Sequence, residues 1–368
     1  MHKDSKIYIA GHRGLVGSAI LSKLKQQGYN NLIFKTHDEI NLINQKAVGD
    51  FFKKEKPEYV FFTAAKVGGI ASHMIHRADF IYENLMMECN IIHNAYLHGI
   101  KKLLFIASTS VYPKDSLLPI DEKQMLTGDL EYSTKPYAIA KISGLMLCES
   151  YNLQYDTNFI AITPTNLYGN HDNFDLGKSH VLPGILRKIH LAKLLSEERY
   201  KDLTRDLKLN SIDKVKKYLR RFGISRNCVE IWGSGKPTRE LLHSQDLADA
   251  CVFIMNNIDF KDLKGDSIEI ANTHLNVGPN ENITIRDLAE LVKNIVGFKG
   301  ELKFNINYPD GVMQRLTDCS RIHSLGWKHK INLKEGIEMV YEWYKKHNNE
   351  IKNDKNLNDA REIYRGGG

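Results

Sequence analysis

The sequence predicts an α/β fold, a doubly wound parallel sheet followed by a smaller C-terminal lobe. Three observations carry that expectation. Short apolar runs alternate with helix-patterned stretches through the first 169 positions. The runs are continuous and lack strict in–out alternation, as when helices cover both faces of a sheet. The first run leads directly into a glycine-spaced turn, AGHRGLVG at 10–17.

The elements follow in order. KIYIA (6–10) is the first strand, and the amphipathic stretch from Leu15 to about Gln27 is the helix after it. NLIFKT (31–36) is a second strand, a helix runs from Gln45 to Lys54, and EYVFFTAA (58–65) is a third strand. Apolar residues recur at helical spacing from Ala78 to His98, and KKLLFIAS (101–108) returns to the sheet. A helix from Tyr137 to about Tyr151 precedes the strand NFIAITPTNLYG (158–169). Beyond Gly169 the pattern loosens. Residues 193–227 read as one or two solvated amphipathic helices, SIEIAN as a strand, and TIRDL as a helix start capped by Thr284 with an acid in the first turn. Leu333–His347 reads as a final surface helix. The expected domains are therefore 1–169 with a returning segment 240–275, a second lobe from 170–239 and 276–345 with the insertion 193–227, and a tail 346–368 that ends in three glycines.

Composition excludes several classes of function. In 368 residues no apolar run reaches 18, so no membrane span is expected. MHKDSKIYIAG enters a strand at once and leaves no room for a signal peptide. Five cysteines (Cys89, Cys148, Cys228, Cys251, Cys319) are scattered and never form a CxxC pair, which points to reduced thiols in a cytoplasm. The 15 histidines show no ligand spacing, and no metal is expected. The net charge of +7 is local: between Lys193 and Asn227 stand eleven Lys or Arg against five Asp or Glu, so the rest of the chain is close to neutral. That distribution, with few interleaved aromatics, argues against a nucleic-acid binder.

The glycine turn has a chemical meaning. Gly11, Gly14 and Gly17 follow a strand and open a helix, where small residues let the backbone approach a pyrophosphate and the helix start offers free N–H groups. This makes the first domain Rossmann-type. An acid commonly closes the second strand to hold a ribose 2′-hydroxyl; here Lys35 and His37 stand there, Asp38 comes late, and Arg13 lies in the loop. Positive charge at that place suits a 2′-phosphate, so the expected cofactor is NADP, bound as NADPH. Tyr137 and Lys141 stand four apart in YAIAK and share a helix face. An ammonium beside a phenol favours the phenolate and tunes Tyr137 as a proton donor. Ser108, at the carboxyl end of a strand, is placed to hold a reacting carbonyl oxygen.

With those residues read, the chain resembles the extended short-chain dehydrogenase/reductases, and within them the GDP-L-fucose synthase family. The likeness runs through IAGHRGLVGSAI, AAKVGGI, DFIYEN, PYAIAKISG, PTNLYG, HDNF, SHVLP, WGSGKPTREL and the late LGW. It implies that Ser108, Tyr137 and Lys141 form a reductase triad joined by His180, acting on carbon 4 of a GDP-linked 4-keto-6-deoxy sugar. It further implies cofactor contacts from Leu15, Val16, Asn41, Leu42, Ala64, Ala65, Pro164, Asn166, Leu167 and His180. Substrate contacts are implied for Ser108, Thr109, Ser110, Asn166, Val181, Arg187, Trp232, Arg239 and Arg315. The two last arginines suit a diphosphate, and Trp232 suits a stacked base or sugar. A homodimer through the two long central helices is also implied.

Two departures stand out. In the family a cysteine and a histidine exchange the protons at carbons 3 and 5; His180 fills the second position, and Ser110 fills the first. A thiol has a pKa near 8.5 and exchanges protons at working pH, whereas a serine hydroxyl needs a base beside it. The expectation is a 4-reductase with weak or absent epimerase activity; a bifunctional 3,5-epimerase-4-reductase is the alternative. The second departure is the basic insertion 193–227, whose place before VEIWGSG suits a lid, an oligomer contact or a solvated excursion. Hexose and heptose substrates, and the product's configuration, stay open at this point.

Overall fold

A computed structural model describes residues 1–265, 268–308 and 310–348. The chain divides into two compact units, one from residues 1–167, 240–281 and 316–330, the other from 168–239, 282–315 and 331 onward.

The first unit is built on a six-stranded sheet. Its strands are Ile7–Ala10, Leu32–Ile33, Tyr59–Phe62, Lys102–Ile106, Phe159–Pro164 and Leu275–Val277. In space the second strand lies outside the first, and the third to sixth follow on the other side, every pair parallel. The order thus reverses between the first and third strands, where open α/β sheets bind ligands at their carboxyl edge. The strands are buried on both faces: Ile7, Ile9, Val60, Phe61, Leu103, Leu104, Phe105 and Ile162 expose nothing. One face packs on the helices Gln45–Glu55, Arg77–Leu97 and Lys135–Tyr155, with Phe52, Ile91, Ile92 and Ala138 filling the layer. The other packs on Leu15–Gln26 and Ser244–Asn257 through Ile20, Leu24, Leu247 and Cys251.

The observed elements correct the sequence reading in several places. The second strand is two residues long, because the chain turns at Thr36, whose N–H bonds the Glu39 carboxylate. The run 158–169 divides into Phe159–Pro164 and Asn166–Tyr168. SIEIAN is no strand where described: Ile268 is fully exposed, and the sixth strand forms from the buried Leu275–Val277. Residues 316–330 belong to the first unit, where Cys319, Ile322 and Trp327 are buried in its core and Thr317 bridges Ile120.

The second unit carries the helices Val181–Ser196, Tyr200–Leu207, Ile212–Arg221, Ile285–Val296 and Leu333–His347, and a parallel strand pair, Cys228–Trp232 with Glu301–Asn305. Thr284 caps its helix by accepting from the Asp287 N–H (3.0 Å). The segment 193–227 is not a solvated excursion. Its first residues end the helix begun at Val181, and its two further helices bury Leu203, Asp206, Leu207, Val215 and Leu219. Of the expected tail, Lys346 and His347 close the last helix, and residues 349–368 lie outside the described residues.

Candidate functional site

The glycine turn is shaped by what it excludes. Gly11 has φ +91°, and a Cβ there would stand 2.7 Å from both the Ala64 nitrogen and Thr63 Oγ1. A Cβ on Gly17 would collide with the Gly11 carbonyl. Gly14, whose N–H donates to the Gly11 carbonyl (3.0 Å), precedes the helix Leu15–Gln26, and no side chain caps or acidifies that helix start. The turn, the carboxyl edge of the third strand at Ala64 and Ala65, and the end of the fifth strand at Pro164 thus lie along one sheet edge. Asn166 follows, half tied by its Nδ2 to the Glu240 carbonyl (3.2 Å), and Leu167 is half-buried. A bare backbone cradle at a helix start, with side-chain volume removed at two positions, fits the pyrophosphate of a dinucleotide.

The expected phosphate-binding charges are partly engaged. Lys35 pairs with Glu39 (3.5 Å), an acid the sequence reading passed over, and Arg13 and His37 are exposed. Hydrogen bonding by the Thr36 N–H holds the Glu39 carboxyl below the usual range. His12 packs at a tilt against Phe34 (4.8 Å) and is held toward neutrality by partial burial and by Arg13. Asn41 is exposed, and its Oδ1 accepts the Ile43 N–H; the Leu42 carbonyl accepts from Asn90 (2.9 Å).

The catalytic candidates meet at the carboxyl end of the fourth strand. Ser108 leaves Lys102–Ile106 in an extended conformation and caps the short turn Thr109–Val111. Its Oγ accepts from the Ser110 hydroxyl (2.8 Å) and from the Ser110 N–H (3.3 Å), and Ser108 hydrogen-bonds Tyr137. Thr109 is buried beside it. Tyr137 and Lys141 lie on the first turns of Lys135–Tyr155, with Pro136 near its start, where a missing N–H costs nothing. The Tyr137 ring is flanked edge-on by His73 (5.4 Å) and Phe80 (6.5 Å). Lys141 is 1% exposed; its Nζ donates to the Ile106 carbonyl (3.1 Å) and lies 4.7 Å from the Phe105 ring centre and 5.8 Å from that of Tyr137.

One residue of the site carries no motif. Glu88, on Arg77–Leu97 and 1% exposed, brings Oε1 to 3.2 Å from Lys141 Nζ. Its charge corrects the expectation for Tyr137. Burial, and then Glu88, push the phenol well above its ordinary value, with the Ser108 hydrogen bond opposing. Burial also pushes Lys141 down, opposed by Glu88, and pushes Glu88 up to about 7, opposed by Lys141. Each member of the pair is what keeps the other charged. A buried acid on a long amphipathic helix, facing a lysine elsewhere in the chain, has no local signature.

The second unit places its candidates differently. His180 precedes the helix Val181–Ser196 with its residue surface open to solvent, and Val181 is half-buried. Trp232 stacks on Tyr308 (4.3 Å, 9° between planes), with Lys188 Nζ 5.2 Å from its ring centre. Arg239 is turned onto its own chain, donating to the Thr238 (2.7 Å) and Val312 (2.8 Å) carbonyls, and Arg315 is half-buried. Arg187 is withdrawn from the substrate set. It exposes nothing, and its guanidinium is spent on Asp206 (2.7 and 3.2 Å) and the Phe174 carbonyl (3.1 Å).

Residues 7–278 match the model of the NAD dependent epimerase/dehydratase family. The chain belongs to that family. Among curated relatives, GDP-L-fucose synthase 1 of Arabidopsis thaliana is 44% identical over 94% of this chain and 94% of its own length. Among solved structures, DdhaC is 73% identical over 96% of this chain and 99% of its own, with a TM-score of 0.85. MlghC, the GDP-mannoheptose C4 reductase from Campylobacter jejuni with NADP bound, is 54% identical over 94% and 99%, also at 0.85. The family resemblance therefore spans both units.

Proposed function

We propose that this chain is an NADPH-dependent 4-ketoreductase of a GDP-linked 4-keto-6-deoxy sugar, derived from mannose or a heptose, with 3,5-epimerase activity weak or absent. The chain is an NADP-dependent GDP-sugar oxidoreductase at the coarser level, and the Ser110 geometry supports the finer reading. The hydroxyl that replaces the family's epimerase thiol donates its proton to Ser108 at 2.8 Å, so it positions the carbonyl holder, and among the described residues no basic side chain is hydrogen-bonded to it.

The chain's own residues then have assigned roles. Ser108 orients the carbon 4 oxygen and Tyr137 gives it a proton. Lys141, held by Glu88, supplies positive charge beside the developing oxyanion. Bound NADPH supplies the hydride. Burial keeps Tyr137 protonated through the physiological range, which suits a donor working in the reductive direction. His180, Trp232, Arg239 and Arg315 are assigned to the nucleotide and sugar, with His180 as a hydrogen-bond partner for the substrate.

A homodimer is supported by apolar side chains left exposed on the two long helices: Tyr82 (58%), Leu97 (58%), Leu153 (49%), and Tyr155 (43%). Among the described residues no helix is long and apolar enough to cross a membrane. We place the chain in the cytoplasm, in sugar-nucleotide synthesis for a bacterial surface polysaccharide. The 44% identity to a GDP-L-fucose synthase favours the bifunctional reading as the second one.

The deciding experiment incubates the protein with NADPH and GDP-4-keto-6-deoxymannose, and with the heptose homologue, in deuterated water, and reads the product by NMR. Reduction without deuterium at carbons 3 and 5 is expected. Deuterium there with inverted centres restores the bifunctional enzyme, and NADPH consumption with the heptose alone assigns the sugar.

A further inference from the structure

The buried carboxylate of Glu88 is surrounded by groups that give it a specific task. From Lys135–Tyr155 it meets Lys141, with Tyr137 and Cys148 within electrostatic reach, and on its own helix the exposed Cys89 thiol feels its charge from the next position. Lys141 is the cation it meets, and the fourth strand adds the Phe105 ring and the Ile106 carbonyl around that same ammonium. Room for the carboxylate is made by Gly144, three residues past Lys141. A Cβ there would strike the Phe105 ring and stand 3.1 Å from Glu88 Oε2. Neither carboxylate oxygen has a well-aligned hydrogen bond among the described residues, so the backbone does not hold this acid in place. An acid kept only for the fold would be tied by several donors. This one is set against a single ammonium that is itself fully buried next to the catalytic tyrosine.

We propose that Glu88 is a positioning residue of the reductase site, fixing the Lys141 side chain and keeping it an ammonium beside Tyr137. Without a carboxylate at 3.2 Å, an amine enclosed by Phe105, Tyr137 and one carbonyl loses its proton, because burial penalises its charged form. The phenol then has no positive neighbour when its proton leaves for the substrate. This inference rests on the reductase reading for its kinetic arm and not for its spectroscopic one.

The test labels lysine side chains with ¹⁵N at Nζ and follows their protonation by NMR against pH, with and without NADP⁺. The Lys141 signal is assigned by its loss in Lys141→Met. In E88Q the Lys141 midpoint falls by about one pH unit or more. E88D, which keeps the charge but draws it back by one methylene, falls between E88Q and the wild type. In the kinetic arm, kcat of E88Q at neutral pH drops about tenfold, and its pH profile follows the displaced Lys141 midpoint. KM for the keto-sugar stays within about twofold. Superimposed Lys141 titrations in wild type and E88Q overturn the proposal, whatever happens to turnover. Should E88Q fail to fold, the E88D displacement decides alone, and its absence overturns the proposal. If wild type reduces no GDP-sugar, the reductase reading fails while the titration still judges Glu88.

Discussion

Lys141–Glu88 in the first unit and Arg187–Asp206 in the second are both buried ion pairs, but they are finished to different degrees. Arg187 donates from Nε, Nη1 and Nη2, and Asp206 also accepts from Tyr344 (2.6 Å) and Asn348 (3.3 Å). Four of the five guanidinium protons and both carboxylate oxygens are engaged by neighbours from several segments of the chain. Among the described residues Lys141 has one carbonyl and one poorly aligned carboxylate, and Glu88 has Lys141 alone. A saturated buried pair is a structural fastening; an unsaturated one keeps capacity for a ligand and for moving a proton. The same measure explains why Arg187 is no substrate contact despite its chemistry.

The largest expected effect removes the proton that the unsaturated pair manages. Tyr137→Phe lowers kcat for NADPH oxidation by roughly 10²–10⁴ while thermal stability changes little, because the ring and its packing against His73 and Phe80 remain. The saturated pair gives the reverse pattern. Arg187→Met leaves Asp206 charged and unpaired and costs about 3–5 kcal/mol of unfolding free energy in denaturant titration, with kcat per folded molecule retained. A stable, inactive Arg187→Met would break the comparison.

Acid sharpens it further. Burial pushes His190 and His243 to about 4 and His274 to about 3. All three are neutral in the fold, while in the unfolded chain they take a proton below about 6.5. Their contribution is therefore complete above that pH and is lost as pH falls toward 4 and below, by about 3–5 kcal/mol for each group fully charged. Glu88 has the opposite sign. Its folded value near 7 lies above its unfolded one, so its contribution is present below about 4.5 and is lost as pH rises through 7. Thermal melts should show a maximum near pH 6 to 7, and E88Q should steepen the rise between about pH 4.5 and 7. The smallest effect concerns the ribose pocket: Glu39→Gln frees Lys35 from its exposed pair and tightens NADPH by about two- to threefold in a fluorescence titration.

Much of this was legible in the sequence, and the reasons are particular. Gly11, Gly14 and Gly17, with Tyr137 four residues before Lys141, encode geometry in local spacing, and the sheet's continuous apolar runs encode its double covering. Three things had no local code. Glu88 reads as one acid among many on Arg77–Leu97, because its partner lies 53 positions on. Asp206 looks like a solvated charge, and Arg187 like a substrate contact, until the helices around them close. Leu275–Val277 won the sheet edge over SIEIAN because three buried apolar-flanked residues met the fifth strand, and β-propensity alone could not separate the two.

The sheet's last strand has a consequence for how the chain is made. Leu275–Val277 and the helix Ser244–Asn257 reach the first unit only after the ribosome has produced the second unit's long first segment, 168–239. Until then the nascent chain carries Phe159–Pro164 as an open edge and the apolar side of Leu15–Gln26, with Ile20 and Leu24, uncovered. An open edge beside bare apolar surface is an invitation to pair with another chain. A protein stopped at Leu167 would hold every glycine of the dinucleotide turn and the whole Ser108–Tyr137–Lys141 set, yet lack the edge that closes its sheet. Such a fragment is a candidate for aggregation and chaperone capture, not a portable cofactor-binding module.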